Sequence, residues 1–289
     1  MPVSGVAISP NNRWLVTNSF DGTGRIWDFH SVAMTELPTV AGIDLQPAHI
    51  WDALGTKIVG STRVLNGVGT FKDGQTLTIT ADSNRLVTTG ETGLRRWNLE
   101  SENPGSSMVL QSHTLGVGPV AVSLDGHWLV TGSDDKTARL WDLQAEDPSA
   151  RSIVLEGHTE EIRQLAISPD SRWLVTCTGL WRERSAGKET TVRVWDLDSP
   201  GPRKAVRILQ GHAGPITSIS ISPDSKKLVT GIADATARVW NLLGDATSSQ
   251  VLRGNTGRIK SVAFSSDSLS VITGGAGDDG IACNIHIWK

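Results

Sequence analysis

One sequence phrase returns along the whole chain, and it constrains the fold more than any other feature. Its core is Leu-Val-Thr or a close variant, followed by a polar turn and a run that ends in Trp. Strong copies lie at 13–29, 127–143, 172–197 and 227–242, and weaker copies lie at 85–99 and 270–288. A repeat of this kind indicates that one supersecondary unit is built several times and stacked on its neighbours.

Each copy has the pattern of short β-strands. Polar and apolar residues alternate, and Ser-Pro-Asp at 168–170 and 222–224 has the residues that tight turns prefer. The stretch VTGSDDKTARLW indicates a hairpin around a polar turn. No stretch keeps a helical period over three turns. The chain is therefore predicted to be all-β.

The spacing and the ends of the copies carry a resemblance to a known family. The copies end at Trp27, Trp97, Trp141, Trp195, Trp240 and Trp288, and after the first interval their spacing is 44 to 54 residues. Gly-His stands ahead of two copies, and Trp-Asp closes several. This pattern resembles the WD-repeat β-propellers, in particular those of bacteria. The resemblance implies one domain over 1–289, built from four-stranded antiparallel blades.

Blade number depends on the interval 29–64, where the repeat is interrupted. Six repeats are recognisable, and a seventh blade is expected only if residues 29–64 form a degenerate one. Within this interval STRVLNG at 61–67 is similar to the segments RSIVLEG and AVRILQG, which precede other copies. We therefore treat 29–64 as an insertion that follows the strand ending at Trp27.

The resemblance also implies that His, Thr, Asp and Trp of one repeat meet inside a blade in a hydrogen-bonded set, which would fix the strand register. The two complete sets are His113, Thr131, Asp135 and Trp141, and then His212, Thr230, Asp234 and Trp240. A third copy has His158, Thr176 and Trp195, with Glu189 in place of Asp. Since the cluster recurs and an active site normally occurs once, we interpret it as structural rather than as a hydrolase triad.

A second interruption, GLWRERSAGK at 179–188, is the candidate docking site. It lies in the hairpin turn of its repeat, where loops on a rigid scaffold often carry binding residues. Trp and Arg are the residue types enriched in binding hot spots. The candidate residues are Trp181, Arg182, Arg184 and Lys188. A flexible, solvated loop is the alternative interpretation.

The last copy is predicted to lack the outermost strand of its blade, because no strand-like segment follows Trp288. An unpaired strand edge favours pairing with another chain. Two hypotheses follow. Either the chain is a fragment, or the edge is covered by the 29–64 insertion or by a partner.

Composition restricts the remaining functions. The net charge of −3 and the pI near 6.2 give no general attraction to nucleic acid or acidic membranes. Cys177 and Cys283 have no metal-ligand spacing and are expected to be packed, reduced thiols. No apolar segment is long enough for a membrane helix, and no signal peptide is evident, so a cytoplasmic protein is expected.

The function expected from these features is a non-catalytic protein-interaction scaffold or sensing module, with a fragment or appended domain of a larger bacterial signalling protein as one form of it. No cofactor and no metal are expected. The predicted partner is a protein, either another chain or another domain of the same polypeptide. The alternative is a hydrolase with a site in the central channel of the propeller, since unrelated propellers house such enzymes.

Overall fold

The computed structural model of the chain is all-β, as the sequence predicts. It describes residues 3–11, 13–19, 23–28, 61–66, 77–90, 93–100, 108–110, 113–145, 147–178, 191–199, 201, 206–212, 214–244, 249–276 and 283–289. These residues form strands and the turns that join them, with no helix among them. In this part of the chain no helix could therefore cross a membrane.

The strands form six antiparallel sheets, numbered here from the N-terminus. Sheet 1 contains β1 (Val3–Ile8), β2 (Trp14–Ser19), β3 (Thr23–Asp28) and β4 (Ser61–Asn66). Sheet 2 contains β5 (Leu77–Ile79), β6 (Arg85–Gly90), β7 (Gly93–Asn98) and β8 (Met108–Leu110). Sheet 3 contains β9 (Val117–Val122), β10 (Trp128–Ser133), β11 (Ala138–Asp142) and β12 (Ile153–Leu155).

The remaining sheets follow the same order of strands. Sheet 4 contains β13 (Ile162–Ile167), β14 (Trp173–Thr178), β15 (Val192–Asp196) and β16 (Val206–Leu209). Sheet 5 contains β17 (Ile216–Ile221), β18 (Lys227–Ile232), β19 (Thr236–Asn241) and β20 (Ser249–Arg253). Sheet 6 has three described strands, β21 (Ile259–Phe264), β22 (Val271–Ala276) and β23 (Cys283–Trp288).

The chain divides into two compact units, Met1–Val122 and Ser123–Lys289. In the first unit, sheets 1 and 2 share an apolar cluster that includes Trp14, Val16, Leu86 and Trp97. In the second unit, three such clusters lie where sheets 3 to 6 meet in sequence order. The expectation of a single domain over 1–289 remains a prediction.

Period-two alternation explains which side chains enter these clusters. In β22, Val271 and Thr273 are buried while Ile272 between them is exposed. In β14, by contrast, the run from Trp173 to Thr178 is buried throughout, because sheet 4 is covered on both faces. A middle strand that lies between two sheets, such as β14, is therefore buried on both of its faces.

In four sheets, a serine in the turn between the first two strands also bonds to the same turn of the sheet before it. The buried residue with left-handed backbone in these turns is Ser83, Ser171, Ser225 or Ser268. Its hydroxyl accepts the backbone N–H of the turn in the preceding sheet, from Asn11, Asp125, Asp170 and Asp224 respectively, at 3.0 to 3.2 Å. The same chemistry therefore links the turns of sheets 1 and 2, 3 and 4, 4 and 5, and 5 and 6.

Part of the predicted insertion belongs to a sheet. Residues 61–66 form β4, which pairs with β3 in a register that places Thr62 opposite Trp27. The last residues of the approximate interval 29–64 thus belong to β4, in line with the similarity of STRVLNG to other outer-strand segments. Residues 29–60 lie outside the described residues, so the seventh blade is not tested.

β4 also bears on the predicted open edge of the last blade. Because β4 completes sheet 1, residues 61–64 do not cover the edge of sheet 6. Within the described residues, β23 pairs with β22 and has no strand on its other side.

Candidate functional site

The candidate docking loop, 179–188, lies outside the described residues, with Trp181, Arg182, Arg184 and Lys188 and with Glu189 beside it. Its two ends are described. The Thr178 amide donates to the Thr191 carbonyl at 3.2 Å, and the Thr191 amide donates to the Thr178 hydroxyl at 3.1 Å. β14 and β15 therefore remain paired up to the point where the loop begins. We call Thr178 and Thr191 the hairpin root.

A buried polar set lies directly beneath the hairpin root. His158 Nε2 lies 2.7 Å from the Thr176 hydroxyl, and Trp195 donates its indole N–H to the same hydroxyl at 2.9 Å. The Thr191 hydroxyl lies 3.3 Å from His158 Nδ1, so both ring nitrogens have a partner. His158 is 6% exposed. Because a buried polar group costs free energy unless it is bonded, this set holds the root in one geometry.

The glycine before this histidine has a specific reason to be glycine. Gly157 has φ of +121°, a conformation that side-chain-bearing residues rarely adopt. A Cβ atom there would lie 3.0 Å from a guanidinium nitrogen of Arg193, whose other terminal nitrogen donates to the Gly157 carbonyl at 2.6 Å. Gly211 and Arg238 repeat the arrangement in sheet 5. The Gly-His pair is therefore fixed by packing against an arginine of the third strand.

In sheet 3 the described hydrogen bonds connect some members of the predicted set. Trp141 donates its indole N–H to the Thr131 hydroxyl at 3.0 Å. Asp135 accepts the amide of Thr137 at 3.0 Å and its hydroxyl at 2.6 Å, which closes the hairpin turn. His113 lies in the segment before β9.

In sheet 5 the structure departs from the expected set. Trp240 donates to the Thr230 hydroxyl at 3.1 Å, and Asp234 accepts the hydroxyl of Thr236 at 2.6 Å. Both ring nitrogens of His212, however, are buried without a hydrogen-bond partner in the described structure. The imidazole packs against Trp240 with 5.3 Å between ring centroids. His212 therefore contributes to the site by packing, and it makes no hydrogen bond to Thr230.

Burial determines the charge state of this histidine. Desolvation lowers the pKa of His212 to about 4, with repulsion from Arg238 as a second cause and attraction to Asp234 opposing both. The ring is therefore neutral at physiological pH.

Two further sheets contain the same tryptophan–threonine bond. Trp97 donates to Thr88 at 2.9 Å in sheet 2, and Trp288 donates to Thr273 at 3.1 Å in sheet 6. In sheet 6 the Thr273 hydroxyl donates to Asn255 at 2.9 Å, so asparagine acts where other repeats carry histidine. The recurrence in sheets 2 to 6 supports a structural role for this cluster.

The opposite end of sheet 4 carries an arginine–tryptophan cluster. Trp173 has the Arg172 guanidinium 4.6 Å and the Arg207 guanidinium 4.8 Å from its ring centroid. Arg172 also binds Asp196 at 3.0 Å, while Arg207 donates to the carbonyls of Leu242 and, at 2.9 Å, Gly244. Arg207 is thus held by backbone carbonyls of the protein itself.

Cys177 is a buried, free thiol in β14 of sheet 4. Burial raises the pKa of the Cys177 thiol far above its ordinary value, which makes a thiolate nucleophile unfavourable. Across the described ranges, no three His, Cys, Asp or Glu side chains are grouped so as to hold a metal ion.

Comparison with known proteins identifies the repeat. The family model described as "WD domain, G-beta repeat" matches residues 1–28, 105–142, 150–196, 203–241 and 246–288, which is more than half of the chain. The chain belongs to the WD40 family. Sheet 2 falls largely between matched segments, yet it has the strand order and the Trp–Thr bond of the other blades.

Several curated relatives share this WD40 region. The "Target of rapamycin complex subunit LST8" of Rattus norvegicus is 24% identical over 80% of this chain and 57% of its own length. The "Target of rapamycin complex subunit LST8-1" of Arabidopsis thaliana is 33% identical over 58% of this chain and 66% of its own. "Protein groucho" of Drosophila melanogaster is 29% identical over 64% of this chain and 24% of its own. The chain thus spans less than two thirds of the length of these relatives.

The source of these relatives corrects one expectation. They come from a mammal, an insect and a plant, so the specific resemblance to bacterial WD-repeat proteins is not supported. The family assignment itself is confirmed by the match to the WD40 model.

Proposed function

We propose that this WD40 protein is a non-catalytic, cytoplasmic scaffold that docks a protein partner through the loop 179–188. The observation that carries the proposal is the hairpin root, where Thr178 and Thr191 are paired and the buried His158 set lies beneath them. A rigid root lowers the conformational entropy that a loop loses when it binds.

The composition of the loop supports protein recognition. Trp181 supplies a large apolar ring, and Arg182 and Arg184 supply planar groups that form paired hydrogen bonds to carboxylates. With Lys188 at its far end, the loop has three positive side chains against one negative one, Glu183, so its net charge favours an acidic partner surface.

The relatives provide independent support for a role in assemblies. Two of the names quoted above describe a subunit of a complex. A WD40 chain that is similar to complex subunits is itself well suited to hold other proteins, and its partner is another chain or another domain of the same polypeptide.

The chemistry of the described core supports binding rather than catalysis. His158 has both ring nitrogens engaged by threonine hydroxyls, and Cys177 is buried with a raised pKa. These are the residue types that a hydrolase would use as base and nucleophile, and both are committed to packing.

The experiment is affinity capture from a native lysate, compared by quantitative mass spectrometry for wild type, Trp181→Ala and Leu243→Ala. Leu243 is an exposed apolar residue on a different turn and serves as the matched control. We expect wild type and Leu243→Ala to capture one specific protein, and Trp181→Ala to capture at least tenfold less of it (about 1.4 kcal/mol). This chain and the captured protein should also bind each other when both are purified. Equal capture by all three variants would place docking elsewhere, and a lack of any specific partner would contradict the scaffold.

A further inference from the structure

Sheet 2 carries two arginines at positions that are apolar in other repeats of the chain. Arg85 is the first residue of β6, and the second strands of sheets 1, 3 and 4 begin instead with tryptophan, at Trp14, Trp128 and Trp173. Arg96 lies opposite Val87 in the register of β6 and β7. The residues opposite the matching valine in sheets 1, 3, 4 and 5 are Ile26, Leu140, Val194 and Val239. The repeat therefore predicts an apolar side chain at both positions of sheet 2.

The surroundings of Arg96 do not compensate its charge. A partly buried guanidinium is unfavourable unless an anion or a strong acceptor binds it. Among the described residues, Arg96 has a single hydrogen-bond partner, the thioether of Met108 at 3.2 Å, which is a weak acceptor. Burial, and secondly repulsion from Arg85, lower the pKa of Arg96. The side chain is therefore held in a place where an added anion would be favourable.

Both arginines line a cleft of about 420 Å³, which we call the arginine cleft. Its other lining residues are Asp82, Asn84, Trp97, Asn98, Glu100 and Met108. All of these residues belong to the strands of sheet 2 or follow directly from them in the chain. The arginine cleft is therefore a feature of this one sheet.

The two carboxylates of the arginine cleft already have other partners. Asp82 accepts the Thr80 hydroxyl and, at 3.0 Å, the Asn84 amide, which closes its own turn. Glu100 accepts an N–H of the Arg13 guanidinium at 2.7 Å. With Arg13 included, these described side chains comprise three cations and two anions, so one positive charge is in excess. One further carboxylate balances this charge, whereas a phosphate dianion exceeds it.

We propose that the arginine cleft binds the carboxylate of an aspartate or glutamate side chain in a peptide segment of a partner protein. The Arg96 guanidinium offers a planar fork of donors that matches the two oxygens of a carboxylate. Asn98 accepts the Glu100 amide through its side-chain oxygen at 3.0 Å, so its amide nitrogen remains as a donor. Met108 supplies an apolar wall for the residue next to the acidic one.

The open rim of the arginine cleft favours a peptide over a small molecule. Its exposed lining residues are Asp82, Asn84, Asn98 and Glu100. Small-molecule sites enclose most of their ligand, whereas a cleft with an exposed rim accommodates one side chain of a chain that continues outside it. This binding site goes beyond the proposed docking loop 179–188 and does not depend on it.

The test is an NMR titration of the full chain that follows the methyl group of Met108. The chain has three methionines, so selective methyl labelling gives few signals, and Met108→Leu identifies the one that reports on the arginine cleft. The probes are the peptides acetyl-Leu-Glu-Leu-amide and acetyl-Leu-Gln-Leu-amide, added into the millimolar range. We expect the glutamate peptide to shift the Met108 signal and to bind about tenfold more tightly than the glutamine peptide, or better.

Substitution of Arg96 makes the test specific. We expect Arg96→Leu, which introduces the residue that sheet 3 has at Leu140, to weaken binding of the glutamate peptide about tenfold or more. Arg253→Leu removes an exposed arginine from sheet 5 and leaves the affinity unchanged. Circular dichroism and thermal melting verify that both variants are folded.

Several results overturn the proposal. The first is a Met108 signal that does not move, or that moves equally with both peptides. Free glutarate that binds as tightly as the glutamate peptide would assign the arginine cleft to small carboxylates, and a phosphoserine peptide that binds about tenfold more tightly would assign it to phosphate. If Glu102→Gln, a change outside the described residues, raised the affinity about tenfold, the chain itself would supply the carboxylate. Trp181→Ala binds the glutamate peptide like wild type, which separates this test from that of the docking loop.

Discussion

Sheets 4 and 5 carry the same repeat, yet their histidines have opposite environments. His158 in sheet 4 has hydroxyl partners at 2.7 and 3.3 Å on its two ring nitrogens. His212 in sheet 5 has no hydrogen-bond partner among the described residues and packs against Trp240. The bond between tryptophan and threonine is common to both sheets, at 2.9 and 3.1 Å. The two sheets therefore share one anchor and differ in how the histidine is used.

The difference originates at the start of the third strand. Thr191 and Thr236 occupy equivalent positions, but the Thr236 hydroxyl donates to Asp234 at 2.6 Å, whereas the Thr191 hydroxyl lies against His158. In sheet 5 the turn aspartate thus takes the hydroxyl that serves the histidine in sheet 4.

Removal of the shared anchor gives the largest effect. We expect Trp195→Ala and Trp240→Ala each to lower the free energy of unfolding by about 3–5 kcal/mol, because both indoles are almost fully buried. Chemical denaturation followed by circular dichroism measures this, with Leu243→Ala within about 0.5 kcal/mol of wild type as the control. A small loss in one sheet alone would show that the anchor is not shared.

Acid has the next largest effect, through the buried His212. The pKa of His212 is about 4 in the folded chain, against 6.5 for an ordinary histidine, so between these pH values the unfolded chain binds more protons. Stability is therefore fully present above pH 6.5 and falls by about 3 kcal/mol as the pH drops to 4.

The variant that isolates this effect is His212→Leu. Its unfolding free energy, measured by urea titration from pH 7 to pH 4, should lose about 3 kcal/mol less than that of wild type. Parallel pH profiles for the two proteins would show that His212 does not carry the acid sensitivity.

Exchange of the threonine hydroxyl gives the smallest effect. We expect Thr191→Val to cost about 1 kcal/mol, since it removes a bond to a buried ring, and Thr236→Val less than about 0.5 kcal/mol, since its partner Asp234 is exposed. Differential scanning calorimetry of the two variants provides the comparison. A larger loss for Thr236→Val would reverse the assignment of the two hydroxyls.

The sequence was sufficient to predict the fold but not these environments. The spacing of Trp and of Leu-Val-Thr predicts the strands, because period-two patterns and turn residues are local signals. The Trp–Thr bonds follow from the strand register, as with Trp141 opposite Leu129 and Thr131 two residues along. Even the weak copy at 85–99 forms a sheet, since its Leu86 and Trp97 fill the same cluster positions.

The polar partners could not be predicted in the same way. By its residues, sheet 5 has the complete set with His212 and Asp234, and sheet 4 has the imperfect one with Glu189. The structure bonds the histidine in sheet 4 and leaves it without a partner in sheet 5. A threonine hydroxyl within reach of two acceptors donates to the one with the better geometry. That choice depends on distance differences of a few tenths of an ångström, which the residue types alone do not determine.

The most direct test of this contrast compares His158→Leu and His212→Leu at pH 7 by equilibrium unfolding. Leucine removes two hydrogen bonds in sheet 4 and leaves hydroxyls of Thr176 and Thr191 without that partner, so we predict a loss of about 1–3 kcal/mol. In sheet 5 it replaces two unpaired buried nitrogens by an apolar group, and we predict no loss or a small gain. Equal destabilisation by the two substitutions would contradict the account.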